Sequence, residues 1–246
     1  MTNLSGQKIL VIDIGGSHIK ATMLDEAGVP LIAYQKITTP VPASPDSVVA
    51  AIQTLIKNFP TCDKVSVGFP GYIKDGNVKT APNLDQENWK DVNFVSLLSN
   101  VLKKPVKLVN DADLQGLGLV SGKGLEMVIT LGTGFGTALL LNGKLLPHLE
   151  LAHHPITKKK TYDEYVGEKA LQKKGLKKWN RRVKKVLRVL QTVFNYDHLY
   201  ISGGNAVKLK FKLDQNITID GNKDGIKGGA KLWIEGTSSP QTYASL

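Results

Sequence analysis

The sequence predicts an α/β protein built from two related halves. Short β-branched apolar runs that end in glycine alternate with longer amphipathic runs, a pattern typical of buried strands covered by helices. The order strand, glycine turn, strand, turn occurs in ILVIDIGGSHIKATMLDEAG near the start and returns in LEMVITLGTGFGTALLLNGKLL, residues 125–146. We therefore expect two similar α/β domains, at 1–110 and 111–235, followed by a disordered tail at 236–246.

The first half begins with a predicted antiparallel meander. Its three strands, at 8–15, 19–25 and 31–38, are separated by the short turns GGSH and EAG. Ser44, followed by a proline, is a suitable cap for a helix over SVVAAIQTLIKNF. The rest of this half alternates strand and helix, with elements predicted at 64–71, 95–103, 104–111 and from Leu114 onward.

The second half contains a predicted helix at residues 176–190, followed by the strand-to-glycine run DHLYISGGNA and a last strand at 216–220. At 100° per residue, one face of this helix carries the apolar side chains Leu176, Trp179, Val183, Val186, Leu187 and Leu190. The opposite face is cationic, with Arg182 on its flank, and consists of Lys177, Lys178, Arg181, Lys184, Lys185 and Arg188.

Positive charge is concentrated in and just before this helix. Residues 158–191 contain ten Lys and three Arg against three acidic residues, a balance of +10 when the whole chain has +11. A merely solvated face usually mixes both signs, and like-charge neighbours destabilise a helix. The concentration favours an anionic partner, which could be nucleic acid, a membrane surface or a polyanionic small molecule. A solvated basic face without a ligand remains the alternative.

Composition excludes several classes of protein. No run approaches the roughly 20 apolar residues of a membrane span, and the start MTNLSGQK lacks the layout of a signal peptide. Cys62 is the single cysteine, which excludes an internal disulfide and a cysteine-rich zinc site. We therefore expect a cytoplasmic protein.

Two glycine turns leave backbone N–H groups bare, and such turns can approach an anion closely. They are Gly15-Gly16 and the run GTGFG at 132–136. Each could also be an ordinary hairpin turn. GTGFG is not a Walker pattern and neither turn leads into a clear helix, so a dinucleotide fingerprint fits poorly. Asp13 precedes the first turn, where a carboxylate could hold a metal, and Ser17 and Thr133 add hydroxyls. Repetition in both halves favours two loops that close on one phosphate chain.

Five motifs in fixed order, DIGGSHIKA, VNDAD, LGTGFGTAL, ELAH and SGGN, resemble the ROK family of sugar kinases over about residues 8–230. Each motif is loose alone, but the ordered set is specific. The resemblance implies the actin-like ATPase (ribonuclease H-like) fold, in which two related α/β domains flank a cleft. Within the family the chain looks most like the polyphosphate glucokinases, whose ELGH motif and following basic helix are similar to the segment from Glu150 onward.

The resemblance implies that Asp111 is a general base, which would accept the proton of a sugar 6-hydroxyl as that oxygen attacks a terminal phosphoryl group. It also implies that Asn110 holds sugar hydroxyls. From the residues alone, Asn110-Asp111 could instead be an Asx turn that caps the following helix.

Glu150 and His153 match the family's sugar clamp, because a carboxylate and an imidazole together accept from and donate to neighbouring hydroxyls. Ala152 stands where the family usually has glycine, which requires a backbone angle that a methyl group permits. Asn83 resembles a sugar-binding asparagine and Gly71 a backbone contact to the sugar; both could equally be turn residues.

Many ROK proteins carry a cysteine-rich zinc motif that ends in a sugar-binding glutamate, and this chain lacks it. Asp163, Glu164 or Glu168 could replace that glutamate, and the sequence does not choose among them. Gly203-Gly204 resembles the family's nucleotide-side motif, or simply ends a strand; it indicates ancestry more than the present donor.

The resemblance also implies a phosphate side with Mg2+ held through Asp13 and water. Its predicted residues are Asp13, Gly15, Gly16, Ser17, Lys20, Gly132, Thr133 and Gly134. A long donor could thread along the basic residues into the cleft, on a path predicted to include Lys158, Lys159, Lys160, Lys177, Arg181 and Lys184.

The resulting prediction is a phosphotransferase that makes glucose 6-phosphate from glucose, with inorganic polyphosphate as donor and ATP as a possible second one. The alternatives are an ATP-dependent hexose kinase of the same family, or a non-catalytic sugar sensor or nucleic-acid-binding protein. No helix-turn-helix or aromatic stacking motif supports nucleic acid. Because the first predicted strand begins at residue 8, we also expect no DNA-binding domain of the kind found in the family's repressors. A homodimer is expected from the family.

Overall fold

The computed structural model describes residues 6–220 and 225–234; the tail predicted at 236–246 lies outside the described residues. The first half contains seven strands: β1 (Ile9–Ile14), β2 (His18–Leu24), β3 (Gln35–Thr38), β4 (Lys64–Phe69), β5 (Ile73–Lys74), β6 (Asn77–Val78) and β7 (Val106–Asn110). Five of them form a sheet in the order β3-β2-β1-β4-β7. The predicted meander β1-β2-β3 is confirmed as antiparallel, and β4 and β7 run parallel to β1.

The second half repeats this topology. Its strands are β8 (Leu125–Leu131), β9 (Phe135–Leu141), β10 (Lys144–Leu145), β11 (Pro155–Thr157), β12 (Lys160–Thr161), β13 (His198–Ser202) and β14 (Ile217–Ile219). The second sheet has the order β10-β9-β8-β13-β14, again with three antiparallel strands and two parallel ones. The internal repeat predicted from the sequence is therefore confirmed at the level of sheet topology.

Helices cover both sheets. They are α1 (Pro45–Ile56), α2 (Gln86–Trp89), α3 (Phe94–Leu102), α4 (Asp111–Leu119), α5 (Tyr162–Val166), α6 (Glu168–Phe194) and α7 (Gly228–Lys231), with 3-10 turns at Leu151–His153 and Ala206–Lys208. Ser44 caps α1 as predicted, since its Oγ accepts from the Ser47 N–H at 3.4 Å. Within the described part of the chain, no helix combines the length and apolar character that crossing a membrane requires.

Three buried clusters hold these layers together. One lies between the first sheet and α1 and α3, and a second lies between the second sheet and α6. The third joins the two halves, because Val11 of β1, Leu114 of α4, Val128 of β8 and Ala230 of α7 all belong to it. Helix α4 therefore packs between the two sheets. The division of the chain after residue 110 stays a prediction.

The predicted apolar face of α6 needs one correction. Leu176 was expected to be buried with the other apolar residues, but it is 43% exposed. Gly175 has φ 72° and ψ 160°, which interrupts the helix immediately before Leu176. The kink permits this residue to turn away from the core, and the buried apolar residues beyond it are Trp179, Val183, Val186, Leu187 and Leu190.

A buried carboxylate fixes the loop between α4 and β8. The Glu126 side chain is fully buried, and its Oε1 accepts from the Ser121 N–H at 2.7 Å and from the Tyr200 hydroxyl at 3.0 Å. Its Oε2 accepts from the N–H groups of Gly122 at 2.7 Å and Lys123 at 3.1 Å. Burial alone would raise the pKa of Glu126, but these donors outweigh it and lower the pKa below its usual 4.5.

We expect Glu126→Gln to destabilise the fold by about 2 kcal/mol at pH 7, because an amide NH2 group would face backbone donors that need an acceptor. A carboxyl whose pKa is lowered by folding stabilises the protein above its unfolded pKa and loses that effect as pH falls. The difference from the wild type should therefore shrink as the pH falls below 4.5. Urea unfolding at pH 7 and at the lower pH measures the difference in stability, and the exposed Glu26→Gln variant is the control. An unchanged unfolding midpoint for Glu126→Gln at pH 7 would contradict the stabilising role of this carboxylate.

Candidate active site

A cleft of about 390 Å³ is lined by residues of both halves. Every residue predicted for the sugar side and the phosphate side of the site contributes to its lining. These residues are Asp13, Gly15, Gly16, Ser17, Lys20, Gly71, Asn83, Asn110, Asp111, Gly132, Thr133, Gly134, Glu150 and His153, and the predicted nucleotide-side pair Gly203-Gly204 lines the cleft as well. The structure thus brings the predicted set together, while the individual roles stay predictions.

The first glycine turn, between β1 and β2, is packed against a loop of the same half. The prediction of bare N–H groups is wrong for Gly15, whose N–H donates to the His18 carbonyl at 3.0 Å inside the turn. The Thr39 hydroxyl donates to the Gly15 carbonyl at 2.6 Å. A Cβ at Gly16 would lie 3.1 Å from the Cβ and carbonyl oxygen of Asn83. A side chain would therefore push Asn83 away, so glycine at this position keeps Asn83 close to the turn.

The second glycine turn, between β8 and β9, is fixed by the start of the basic segment. Asp163 Oδ1 accepts from the Phe135 N–H at 2.7 Å. The Glu168 N–H lies 3.1 Å from the carbonyls of both Gly132 and Thr133. These contacts attach α5 and the start of α6 directly to the turn.

The structure distinguishes the three acidic residues that the sequence left open. Asp163 lines the cleft. Glu164 instead forms a capping box with Thr161 at the start of α5. Glu168 accepts from Asn205 Nδ2 at 2.6 Å and from Gln172 at 3.0 Å. Of the three, Asp163 is therefore in position to meet a ligand in the cleft, and burial raises its pKa.

Asp111 is the first residue of α4 and lies at the carboxyl end of β7. The helix begins here, three residues before the predicted Leu114, because Asn110 caps it: Asn110 Oδ1 accepts from the Ala112 N–H at 2.8 Å. The helix-cap alternative for Asn110 is thus confirmed. Its Nδ2 donates to the Gly71 carbonyl at 3.1 Å, and Asn110 still lines the cleft.

Two carboxylates, those of Asp111 and Asp13, line the cleft, and the charge of Asp13 acts on Asp111. Burial and then the charge of Asp13 raise the pKa of Asp111 to about 7. Burial also raises the pKa of Asp13, although Lys20 Nζ lies 3.4 Å from its Oδ2 and opposes the rise. A carboxylate with a pKa near neutrality suits a general base, because it is a better proton acceptor than an exposed aspartate and is still ionised in part at pH 7.

The predicted clamp residues lie on a 3-10 turn beside this pair. His153 Nε2 is 3.6 Å from Glu150 Oε2. Ala152 lies in the same turn with a negative φ, so the methyl group that replaces the family's glycine is accommodated without strain. Both clamp side chains line the cleft together with Ala152.

Sequence reasoning missed His148, which is buried beside the clamp. Its Nδ1 lies 3.0 Å from Asp113 Oδ2, and its Nε2 lies 3.4 Å from Glu150 Oε1. A histidine two residues before the predicted clamp carboxylate was a usable signal. Its partner Asp113 is distant in sequence, and that contact could not be inferred from spacing.

A second pocket, which we call the basic groove, follows α6. It has a volume of about 360 Å³ and is lined by Tyr165, Lys174, Lys178, Arg181, Arg182 and Lys185. The Arg182 guanidinium lies 4.5 Å from the centre of the Tyr165 ring, and its Nη1 donates to the Tyr165 carbonyl at 3.1 Å. Helix α5 carries both Asp163, in the cleft, and Tyr165, in the groove, so the two pockets are neighbours.

The predicted donor path coincides with the basic groove only at Arg181. Lys158 and Lys159 are exposed between β11 and β12, while Lys177 and Lys184 are exposed on α6, and none of the four contributes to the lining of either pocket. The side chain that the helical projection placed on the flank, Arg182, is instead part of the groove.

Comparison with known proteins agrees with this geometry. The ROK family pattern matches residues 9–153. A polyphosphate glucokinase of Mycobacterium leprae is 34% identical over 202 residues, which are 78% of this chain but only 62% of that protein. A polyphosphate glucokinase of Mycobacterium tuberculosis (strain H37Ra) is 32% identical over 203 residues, which are 78% of this chain and 76% of that protein.

Among solved structures, the inorganic polyphosphate/ATP-glucomannokinase of Arthrobacter sp. strain KM superimposes with a TM-score of 0.83 at 29% identity, covering 92% of this chain and 98% of that chain. The two-sheet architecture is the actin-like ATPase fold expected for ROK sugar kinases. The matched pattern spans more than half of the sequence, and the chain therefore belongs to the ROK family.

Proposed function

We propose that this protein transfers the terminal phosphoryl group of inorganic polyphosphate to the 6-hydroxyl of glucose, giving glucose 6-phosphate and a polyphosphate shortened by one unit. The observation that carries the proposal is the position of Asp111: a buried carboxyl with a pKa of about 7, in a cleft shared by a sugar clamp and two glycine turns. The polyphosphate glucokinases to which the chain is similar support the choice of donor and acceptor.

In this proposal Asp111 accepts the proton of the 6-hydroxyl as the oxygen attacks phosphorus and the bond to the leaving phosphate breaks. Glu150, His153 and Asp163 bind the other hydroxyls, since all three line the same cleft. Asn110 has its oxygen engaged by the helix and one amide hydrogen engaged by the Gly71 carbonyl, so it contributes through its second amide hydrogen. Most of the rate enhancement then comes from alignment of the two reactants and from charge neutralisation.

The two glycine turns and Lys20 bind the phosphate chain. A Mg2+ ion would supply further neutralisation of the donor oxygens, and Asp13 is the side chain that would hold it. The site fits such an ion because Asp13 and Asp111 contribute two carboxylates to the lining of the same cleft. Residues 6–220 and 225–234 contain no cluster of three or more potential metal ligands.

The basic groove is the proposed route for the rest of the polyphosphate. Its five cationic side chains share a lining with Tyr165 of α5, the helix that also contributes Asp163 to the cleft. An ATP-dependent hexose kinase is the second candidate, favoured by Gly203 and Gly204 in the cleft lining. Because Asp111 is ionised in part and can accept a proton, the site argues against a non-catalytic sugar sensor. Cytoplasmic location and a homodimer stay predictions.

We expect Asp111→Asn to lower kcat for glucose phosphorylation at least about 100-fold, because the amide cannot accept the proton. The same variant should be more stable than the wild type in metal-free buffer at pH 8. Because the pKa is raised from 3.8 to about 7, ionisation of Asp111 lowers stability as the pH rises between these two values, and the full loss persists at higher pH. The stability difference should disappear towards pH 4, where the carboxyl is protonated in the folded protein.

The fall in kcat is measured with purified protein, glucose and Mg2+, with polyphosphate or ATP added in separate reactions. The gain in stability is measured by thermal unfolding. Turnover by Asp111→Asn at the wild-type rate would sink the assignment of the base. Loss of activity accompanied by a lower unfolding temperature would point to structural damage instead.

A matched pair of triple variants tests the basic groove. Replacing Lys178, Arg181 and Lys185 by Ala removes three charges that line the groove, and replacing Lys177, Lys184 and Arg188 removes three charges of the same helix outside it. We expect the first triple variant to raise KM for long polyphosphate about tenfold, and the second to raise it much less, because close contacts resist screening better than distant charges. KM for glucose and for tripolyphosphate should hardly change. Equal effects of both triple variants on long polyphosphate would reduce the groove to a general electrostatic attraction.

A further inference from the structure

One buried imidazole has no part in the proposed transfer or in the sugar clamp. The His148 side chain is 10% exposed and lies between two carboxylates. Its Nδ1 is 3.0 Å from Oδ2 of Asp113, which is itself 6% exposed, and its Nε2 is 3.4 Å from Oε1 of Glu150. Each ring nitrogen therefore has one acidic partner.

The two partners belong to different parts of the site. Asp113 lies on α4, two residues after Asp111, while Glu150 lies in the segment that follows β10. His148 thus connects the helix that carries the base with the segment that carries the clamp. Few other side-chain contacts hold this segment: the Thr137 hydroxyl donates to the Leu149 carbonyl at 3.1 Å, and Tyr72 stacks on the imidazole at 6.3 Å between ring centres.

The charge of the imidazole decides whether one or both of its nitrogens can face a carboxylate with a proton. A neutral imidazole donates from one nitrogen only, whereas the protonated ring donates from both. Burial alone would lower the pKa of His148, but Asp113 and Glu150 outweigh it and raise the pKa to about 10. The ring is therefore protonated at neutral pH, and each of its nitrogens carries a proton within ion-pair distance of one carboxylate.

We propose that His148 is a positioning residue for sugar recognition, which holds Glu150 Oε1 so that Oε2 points to His153 and to a sugar hydroxyl. This inference rests on the proposed function and assigns to the same site a residue that determines its affinity for the sugar. Glu150 without His148 could rotate, and the hydroxyl that it accepts from would lose a fixed partner. The donor side of the cleft contains none of these contacts.

Two conservative variants separate the two arms of the bridge. In His148→Asn the amide nitrogen can take the place of Nδ1, which keeps a donor for Asp113 and removes the one for Glu150. In His148→Gln the amide nitrogen reaches the place of Nε2, which keeps the donor for Glu150. We expect Asn to raise KM for glucose about tenfold and Gln to raise it less than about threefold, because only Asn removes the donor that faces the Glu150 carboxylate. Both variants should leave KM for polyphosphate and kcat within about threefold of the wild type.

Glucose affinity is measured by calorimetry without donor, KM and kcat by coupled assay, and folding by thermal unfolding. His198→Asn is the control, because His198 contacts Thr218 outside the cleft. A wild type that makes no glucose 6-phosphate with either donor defeats the proposed function. An active wild type whose Asn variant binds glucose with unchanged affinity overturns the role of His148. Should the Asn variant fail to fold, the Gln variant decides: a tenfold rise in its glucose KM also overturns the role.

Discussion

The site depends on two carboxylates that line one cleft, Asp13 at the end of β1 and Asp111 at the start of α4. Burial disfavours the charged form of each, and the charge of Asp13 further disfavours ionisation of Asp111. The N-terminus of α4 compensates in part, because its field favours a negative charge and the Ala112 N–H donates to Asp111. This compensation leaves the pKa of the Asp111 carboxyl near neutral pH, where a proton acceptor is most useful. An anionic donor can enter beside these groups only if Lys20, backbone N–H groups and a metal ion offset the repulsion.

Helix α4 connects this chemistry with the packing of the fold. It lies between the two sheets, so Leu114 and Leu117 share one buried cluster with strands of both halves. A Cβ at Gly116 would lie 3.0 Å from the Cβ of Ala138, which explains why a helix at this place is rich in glycine. The same glycines lower helix propensity and made its start hard to predict. Close packing therefore fixes the position of Asp111 with respect to both sheets.

Local patterns predicted most of the framework. The strands followed from apolar runs that end in glycine, and the repeated order of elements predicted two sheets of equal topology. Motifs resembling the ROK family predicted the residues that the cleft brings together. What the sequence could not give depends on single backbone angles or on distant contacts. A helical projection assumes an unbroken helix, so the kink at Gly175 and the exposure of Leu176 were outside its reach. The pairing of His148 with Asp113 requires the segment after β10 to fold back on α4.

The distribution of charge favours a donor longer than a nucleotide. Along α6 the pairs Lys178/Arg182 and Arg181/Lys185 place like charges one turn apart, and each pair costs about 0.2–0.5 kcal/mol. Within the groove, Arg182 lies over the Tyr165 ring and its guanidinium donates to the Tyr165 carbonyl. Because the guanidinium is already held in place, less entropy is lost when an anion binds to it. A triphosphate bound between the glycine turns would have its charges inside the cleft. A linear polyphosphate would continue past α5 and place its remaining charges among these cations. Its negative charges would there relieve the repulsion between the like-charge pairs of α6.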